Sequence, residues 1–232
     1  MRQIPLTLPL APSYKEDDFI IGSANERAMK WLSLWPDWPR PYRVLNIFGE
    51  SGCGKTHISH VFEALSGARR LIELKDIKVI VDSADTHFVL DNFSLDADYD
   101  PEAVFHFFNH IASIDGTALL LSRQSAAKMD CALDDLRSRL RAVTCQEISA
   151  PDDVLLVQVL QNMFADRQCS VPDNVISYMI TQMPRNFTAA YQLVAVIDMA
   201  ALAAKKPITL GIVKQVMMPD NNALEFNFKH GK

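Results

Sequence analysis

The chain has 232 residues, of which 49% are hydrophobic and 22% charged, with a formal net charge of −5. It is long enough for one large core, or a large and a small one, and its acidic balance argues against a protein whose main work is to grip DNA phosphates. No apolar run approaches the ~20 residues that cross a bilayer, Met1-Arg2-Gln3-Ile4-Pro5-Leu6 lacks a signal-like apolar stretch, and Cys53, Cys131, Cys145 and Cys169, without C-x-x-C spacing, read as free thiols of a reducing cytoplasm.

Residues 1–18 read as an extended arm, because the prolines in Gln3-Ile4-Pro5-Leu6-Thr7-Leu8-Pro9-Leu10 deny it a regular ladder. Such an arm either packs on the domain surface or docks in a partner's groove. Apolar residues Ala24, Ala28, Trp31, Leu32 and Trp35 recur at helical spacing over 23–35, before the break at Trp35-Pro36-Asp37-Trp38-Pro39. The apolar strand 42–48 runs directly into Gly49, and a helix over 56–65 follows with Ile58, Val61, Phe62 and Leu65 on one face. Two further apolar runs, 78–81 and 86–90, end near Asp82 and at Asp91. A helix over 101–114 precedes the strand 117–121, which ends at Ser122. Strands alternating with helices imply a parallel sheet covered on both faces. After Ser149-Ala150-Pro151-Asp152-Asp153 the pattern becomes all helical, over 154–166, 171–182, 186–204 and 210–217, and either aspartate can cap the first of these. The sequence thus divides into an arm (1–18), an α/β domain (19–150), a small helical domain (151–218) and a tail (219–232).

Gly49-Glu50-Ser51-Gly52-Cys53-Gly54-Lys55-Thr56 is a complete G-x-x-x-x-G-K-[ST] loop between a strand and a helix. Its glycines let the backbone aim N–H groups at phosphates, and the helix that follows adds its positive end. Lys55 is placed for the β- and γ-phosphates and the Thr56 hydroxyl for Mg²⁺. A second acid is needed at a neighbouring strand end, and Asp91 is preferred to its rival Asp82 because Asn92-Phe93-Ser94 leaves directly into a polar loop. Asn92 can hydrogen-bond a water but cannot accept its proton, so intrinsic hydrolysis should be slow. Arg137, Arg139 and Arg141 alternate after the strand ending at Ser122. They form either a solvated face paired with Asp134 and Asp135 or a source of an arginine for a neighbour's γ-phosphate. His106 and His110 have metal-compatible spacing but no third ligand. Cys53 is loop filler whose place beside a helix N-terminus favours reactivity.

On these residues the chain resembles the DnaA-related AAA+ proteins, in their Hda-type regulatory-inactivator branch, over nearly its whole length. Phe19-Ile20-Ile21-Gly22-Ser23-Ala24-Asn25 is similar to the family's adenine-side segment. Leu90-Asp91-Asn92 looks like its Mg²⁺ strand, Ser122 falls at the sensor 1 position, and Leu136-Arg137-Ser138-Arg139-Leu140 is similar to the arginine-finger box, with Arg139 the finger. The arm resembles a clamp-binding peptide built on Gln3, Ile4, Leu6 and Leu8, which favours docking. The resemblance implies an AAA+ fold with a helical lid and an ADP or ATP site formed by Phe19, Ile20, Ile21, the loop 49–56, His57 and Arg185. Thr56 and Asp91 would hold Mg²⁺, with Asn92 and Ser122 beside the phosphates. Arg185 stands about one turn before Thr188, which occupies the usual sensor 2 arginine position. The implied role is cytoplasmic: on the sliding clamp, Arg139 is offered to ATP held by DnaA, with feeble hydrolysis of the protein's own nucleotide. A homodimer is a further allowed partner, and strong direct DNA binding is not expected, since no helix-turn-helix domain follows the lid. The competing expectations are an autonomous initiator or helicase-loader ATPase acting on DNA, and a small-molecule P-loop kinase, which would want more arginines in the lid than Arg167 and Arg185.

Overall fold

The computed structural model describes residues 20–71, 80, 84–95 and 100–218. In chain order the elements are α1 (Glu26–Ser33), β1 (Val44–Phe48), α2 (Lys55–Ser66), β2 (Arg69–Leu71), β3 (His87–Leu90), α3 (Pro101–Ser113), β4 (Thr117–Ser122), α4 (Asp134–Arg141) and β5 (Thr144–Glu147). Four helices follow: α5 (Asp153–Asp166), α6 (Asp173–Gln182), α7 (Phe187–Ala204) and α8 (Leu210–Met217). The strands make one parallel sheet in the order β2-β3-β4-β1-β5.

Alternation along β4 shows how the sheet is covered on both sides. Ala118 and Leu120 face a core with Phe88, Phe107, Phe108, Ile111, Leu136 and Leu140, which draws in α3 and α4. Leu119 and Leu121 face the opposite core with Leu45, Ile47, Ile58, Phe62 and Leu32, which draws in α2 and α1. The lid has a separate core built on Leu156, Leu160, Phe164, Ile176, Met179, Leu193 and Val194. Helix starts carry their own signals. Asp100 caps α3 ahead of Pro101, and Asp152, Asn186 and Thr209 cap α5, α7 and α8 through their side chains.

The expected α/β sheet and helical lid are present, with differences at the margins. β2, β5 and α4 have no counterpart among the elements read from the sequence. Ile80, the described residue of the run 78–81, has helical backbone and packs into the α3 side core. The arm, Phe19, Asp82 and the tail lie outside the described residues. By length and composition α7, with 18 residues and mean hydropathy 1.6, could cross a membrane, which the sequence reading did not anticipate. One face of it packs into the lid core through Ala190, Leu193, Val194 and Ile197.

Register brings three strand ends to one edge, because Phe48 pairs with Ser122 and Leu90 with Leu120. Buried Asn46 fastens that edge. Its amide donates to Leu120 O (3.1 Å) and Ser122 Oγ (2.8 Å), and its Oδ1 accepts from Ala126 N (2.8 Å). Asn46→Leu takes the acceptor from the Ala126 N–H and one donor each from Leu120 O and Ser122 Oγ, the latter keeping its own bond to Gln124 O. It is expected to cost about 2 kcal/mol or more, since each orphaned buried group costs about 1–3 kcal/mol. A urea midpoint unchanged from wild type would contradict this account of the edge.

Candidate nucleotide-binding site

The loop 49–54 leaves β1 at this edge and closes onto α2. The Gly49 N–H donates to Ser122 O at 3.2 Å, so the loop starts in register with β4. Gly52 (φ 77°) and Gly54 (φ 104°) have left-handed backbone, which L side chains rarely adopt. Gly54 caps α2 without a side-chain bond, so first-turn amides of a twelve-residue helix remain for an anionic ligand. Lys55 folds inward, its Nζ donating to Gly49 O and Glu50 O at 2.8 Å each. The ammonium therefore sits within the loop that would wrap the phosphates.

Cys53 is 3% exposed, and burial, outweighing nearby Lys55, pushes its thiol above the ordinary value. Burial thus favours the reading of Cys53 as loop filler over that of a thiol activated by the helix N-terminus. Glu50 and Ser51 are exposed at the loop's rim, and His57 is half-buried on α2.

The Thr56 hydroxyl lies 3.4 Å from Asp91 Oδ2. These hard oxygen donors suit Mg²⁺, which takes one or two protein oxygens and completes its shell with phosphate and water. Asn92 follows with left-handed backbone (φ 55°), its N–H donating to Asp91 Oδ1 at 2.9 Å while its side chain is exposed. Ser122 is 1% exposed, and its hydroxyl is committed internally: it donates to Gln124 O (2.6 Å) and accepts from Asn46. Reaching a phosphate would require giving up those bonds.

On the opposite side, Asn25 shapes the segment that begins at Ile20. Its Nδ2 donates to Ile20 O (2.9 Å) and its Oδ1 accepts from Gly22 N (2.8 Å). Ile21 is exposed and Ile20 half-buried. This segment meets the lid: the Ser23 hydroxyl donates to Asp152 Oδ2 at 2.6 Å, and a Cβ on Gly22 would meet Leu155 Cδ2 at 3.1 Å. The Ser23 bond, joined by the Leu155 N–H, holds the Asp152 carboxyl below the usual carboxylate range.

The lid also sits on the loop. The Phe187 N–H donates to Gly52 O at 2.8 Å, and a Cβ on Gly52 would approach Thr188 Oγ1 to 2.9 Å. Arg185 is not among these contacts. It forms a two-pronged pair with Asp153 (2.8 and 3.2 Å) on the lid's outer face, and this pairing lowers the Asp153 carboxyl's pKa. The structure thus brings Asn186, Phe187 and Thr188 to the phosphate loop and keeps Arg185 away. Nothing in the sequence points to Leu155 or Phe187, and it marks Asn25 only as the end of the adenine-side segment and Thr188 only as the occupant of the sensor 2 position. The capping asparagine before an apolar run was a usable signal for where α7 begins.

Arg139 lies on α4, away from the loop. Its guanidinium rests 4.0 Å from the centre of the Phe105 ring, and it donates to Asn109 Oδ1 (2.9 Å) and Asp135 O (3.0 Å). Arg137 pairs with Asp134. His110 is buried and His106 exposed on α3, and the described residues hold no cluster of three or more metal-ligating side chains.

Comparison with known proteins bears on the fold and on the helical lid. Residues 153–217 match the family described as "Hda, lid domain". The chain is 26% identical over 232 residues to the chromosomal replication initiator protein DnaA of Clavibacter sepedonicus, across 90% of this chain and 49% of that protein, so it spans about half the length of this curated relative. Domain III of the Thermotoga maritima replication initiation protein DnaA superposes with a TM-score of 0.72 at 18% identity, covering 90% of this chain and 97% of that one. AMPPCP-bound DnaA from Aquifex aeolicus gives a TM-score of 0.67 at 19% identity, covering 84% and 67%.

Proposed function

We propose that this Hda-type, DnaA-related AAA+ protein is a regulator of replication initiation that holds ADP or ATP in its own loop and lends Arg139 to ATP held by DnaA. The observation that carries the reading is the company Arg139 keeps. Of the three alternating arginines, Arg137 pairs with Asp134, while Arg139 and Arg141 have no ion pair among the described residues, and of these two Arg139 is the one held in place, by an aromatic face, an amide oxygen and a backbone carbonyl. Lending it to a triphosphate breaks no ion pair.

In the reaction, water attacks the γ-phosphorus of the DnaA-bound nucleotide and the bond to the bridging oxygen breaks, leaving ADP and phosphate. The planar, permanently charged guanidinium of Arg139 meets the equatorial oxygens as their charge spreads. At the protein's own site, the loop amides and Lys55 would bind the phosphates, Thr56 and Asp91 would hold Mg²⁺, and the segment 20–25 would form the base side. Mg²⁺, when bound, screens phosphate charge there. Asn92 offers no base to the water, so the bound nucleotide serves to set the lid rather than to turn over. The arm, through Gln3, Ile4, Leu6 and Leu8, docks on the sliding clamp in the cytoplasm and brings Arg139 to DnaA by raising its local concentration.

The test is hydrolysis of DnaA-bound ATP on clamp-loaded DNA, with the full chain added as wild type or as the double variant Leu6→Ala, Leu8→Ala. The wild type should accelerate hydrolysis, and the arm variant should lose most of that effect while keeping its nucleotide affinity. If the wild type does not accelerate it, the regulatory reading fails and the nucleotide site stands alone. Equal acceleration by both would remove the clamp from the proposal.

A further inference from the structure

Arg70 belongs to neither the phosphate loop, the Mg²⁺ strand nor the lid, yet it lies against the acid of the Mg²⁺ pair. β2 places it beside β3, in register with Val89, and its side chain reaches back toward α2. Its Nε and Nη2 bind both oxygens of Glu63 (2.8 and 2.9 Å), and Nη2 also donates to Ser59 Oγ at 2.7 Å. With the side chain held this way, Nη1 donates to Asp91 Oδ2 at 3.2 Å. That is the oxygen facing the Thr56 hydroxyl, while Oδ1 is taken by the Asn92 N–H. Both oxygens of Asp91 are therefore engaged, and a fixed cation stands beside the one aimed at Thr56. The Asp91 side chain is 19% exposed and that of Arg70 29%, so water screens the contact only in part. Burial works against the Arg70 charge, but Glu63 and Asp91 outweigh it and raise the guanidinium above its ordinary value, so it stays charged.

We propose that Arg70 is a built-in counter-cation of Asp91 that weakens the site's hold on Mg²⁺, so that nucleotide is retained with little dependence on a divalent cation. This rests on the nucleotide-site reading above. A cation within a few ångströms of the metal position repels a divalent ion in proportion to its charge, and the hydrogen bond lowers the electron density that Asp91 Oδ2 can offer. Glu63 holds Arg70 in place, and His60 Nδ1 lies 3.0 Å from Glu63 Oε2, so the acid that positions the arginine is itself shared. Arg70 is in these terms a positioning and tuning residue that touches neither nucleotide nor metal.

The experiment measures the dissociation constant of a fluorescent ADP analogue, with Mg²⁺ and with EDTA, for wild type, Arg70→Gln, Arg70→Lys and Asp91→Asn. A parallel titration follows Mn²⁺ by its paramagnetic resonance in the presence of ADP. In wild type and Arg70→Lys, which keeps the charge, EDTA should weaken ADP binding by about threefold or less. In Arg70→Gln, Asp91 and Glu63 lose their cation, so the EDTA effect should grow to about tenfold and Mn²⁺ should bind about tenfold more tightly. Asp91→Asn should change the small wild-type EDTA effect little. A purely structural Arg70 predicts the opposite sign, with Mn²⁺ binding weakened in Arg70→Gln as Asp91 drifts from Thr56. A large EDTA effect in wild type that Asp91→Asn abolishes would overturn the proposal without needing any Arg70 variant. Loss of ADP binding by wild type under both conditions would instead overturn the site reading itself, and the proposal with it.

Discussion

Arg139→Ala is expected to reduce the stimulated hydrolysis of DnaA-bound ATP by about 10³-fold or more, the scale on which arginine fingers act. The same variant should bind ADP within about twofold of wild type, because no contact of Arg139 reaches the loop 49–56 and sites without shared partners are close to additive. It should also fold. What is lost locally is a cation–π contact with Phe105 and two hydrogen bonds on half-exposed surface, together worth about 1–2 kcal/mol. Single-turnover hydrolysis on clamp-loaded DNA reads the first effect, and ADP titration and thermal melting read the other two. Arg139→Lys sharpens the test: a lysine keeps the charge but not the planar fork, so it should recover only a small part of the rate. An Arg139→Ala protein that stimulates as well as wild type would move the finger to another residue.

What could be read from the sequence follows which features are local. The phosphate loop declares itself because glycine spacing and the flanking strand and helix are all within about a dozen residues. Strand β4 is fully buried and has the unbroken apolar run Ala118-Leu119-Leu120-Leu121 at its centre, so its place is legible almost to the residue. β2 and β5 were missed for the converse reason. They are the edge strands of the sheet, three and four residues long, and Arg69-Arg70-Leu71 and Thr144-Cys145-Gln146-Glu147 carry no apolar alternation. α4 was hidden because its arginines were read as an alternating series, while the buried pair Leu136 and Leu140 stands at helical spacing. Contacts that depend on strand order were beyond reach altogether. Arg70 meets Asp91 only because β2 lies beside β3, and Ser122 is engaged by Asn46 only because β1 lies beside β4. Arg185 shows the limit of positional analogy. It stands one turn from the expected place, but Asp153, at the first turn of α5, lies nearer and captures it.

Gly49→Ala should have the largest effect at the protein's own site, through packing rather than charge. A Cβ at Gly49 would stand 2.3 Å from Ile148 O and 3.0 Å from Cys53 Sγ. Neither wall can retreat cheaply. Ile148 is pinned by its N–H to Phe48 O at 2.8 Å, and Gly49 by its own N–H to Ser122 O at 3.2 Å, so relief means parting β1 from a neighbour or expelling the loop. Overpacking against backbone of this kind costs about 3 kcal/mol or more, which for a chain of this size lowers the melting temperature by about 6–12 °C. The displaced loop should also lose nucleotide affinity by at least ~100-fold, since its amides and Lys55 act only in the wrapped geometry. These two losses can be separated by linkage. Wild type should melt higher as ADP is added, by about 2.7 kcal/mol of stabilisation when ligand stands at a hundred times its dissociation constant, whereas Gly49→Ala should show almost no shift. Gly67→Ala supplies the control. It too has left-handed backbone (φ 66°), but a Cβ there meets nothing within 4 Å, so it should lose only about 1 kcal/mol and keep the full ADP shift. A Gly49→Ala protein that still gains stability from ADP would mean that the loop tolerates a side chain at this turn, and that the close approach of Ile148 to Gly49 does not hold the phosphate cradle in shape.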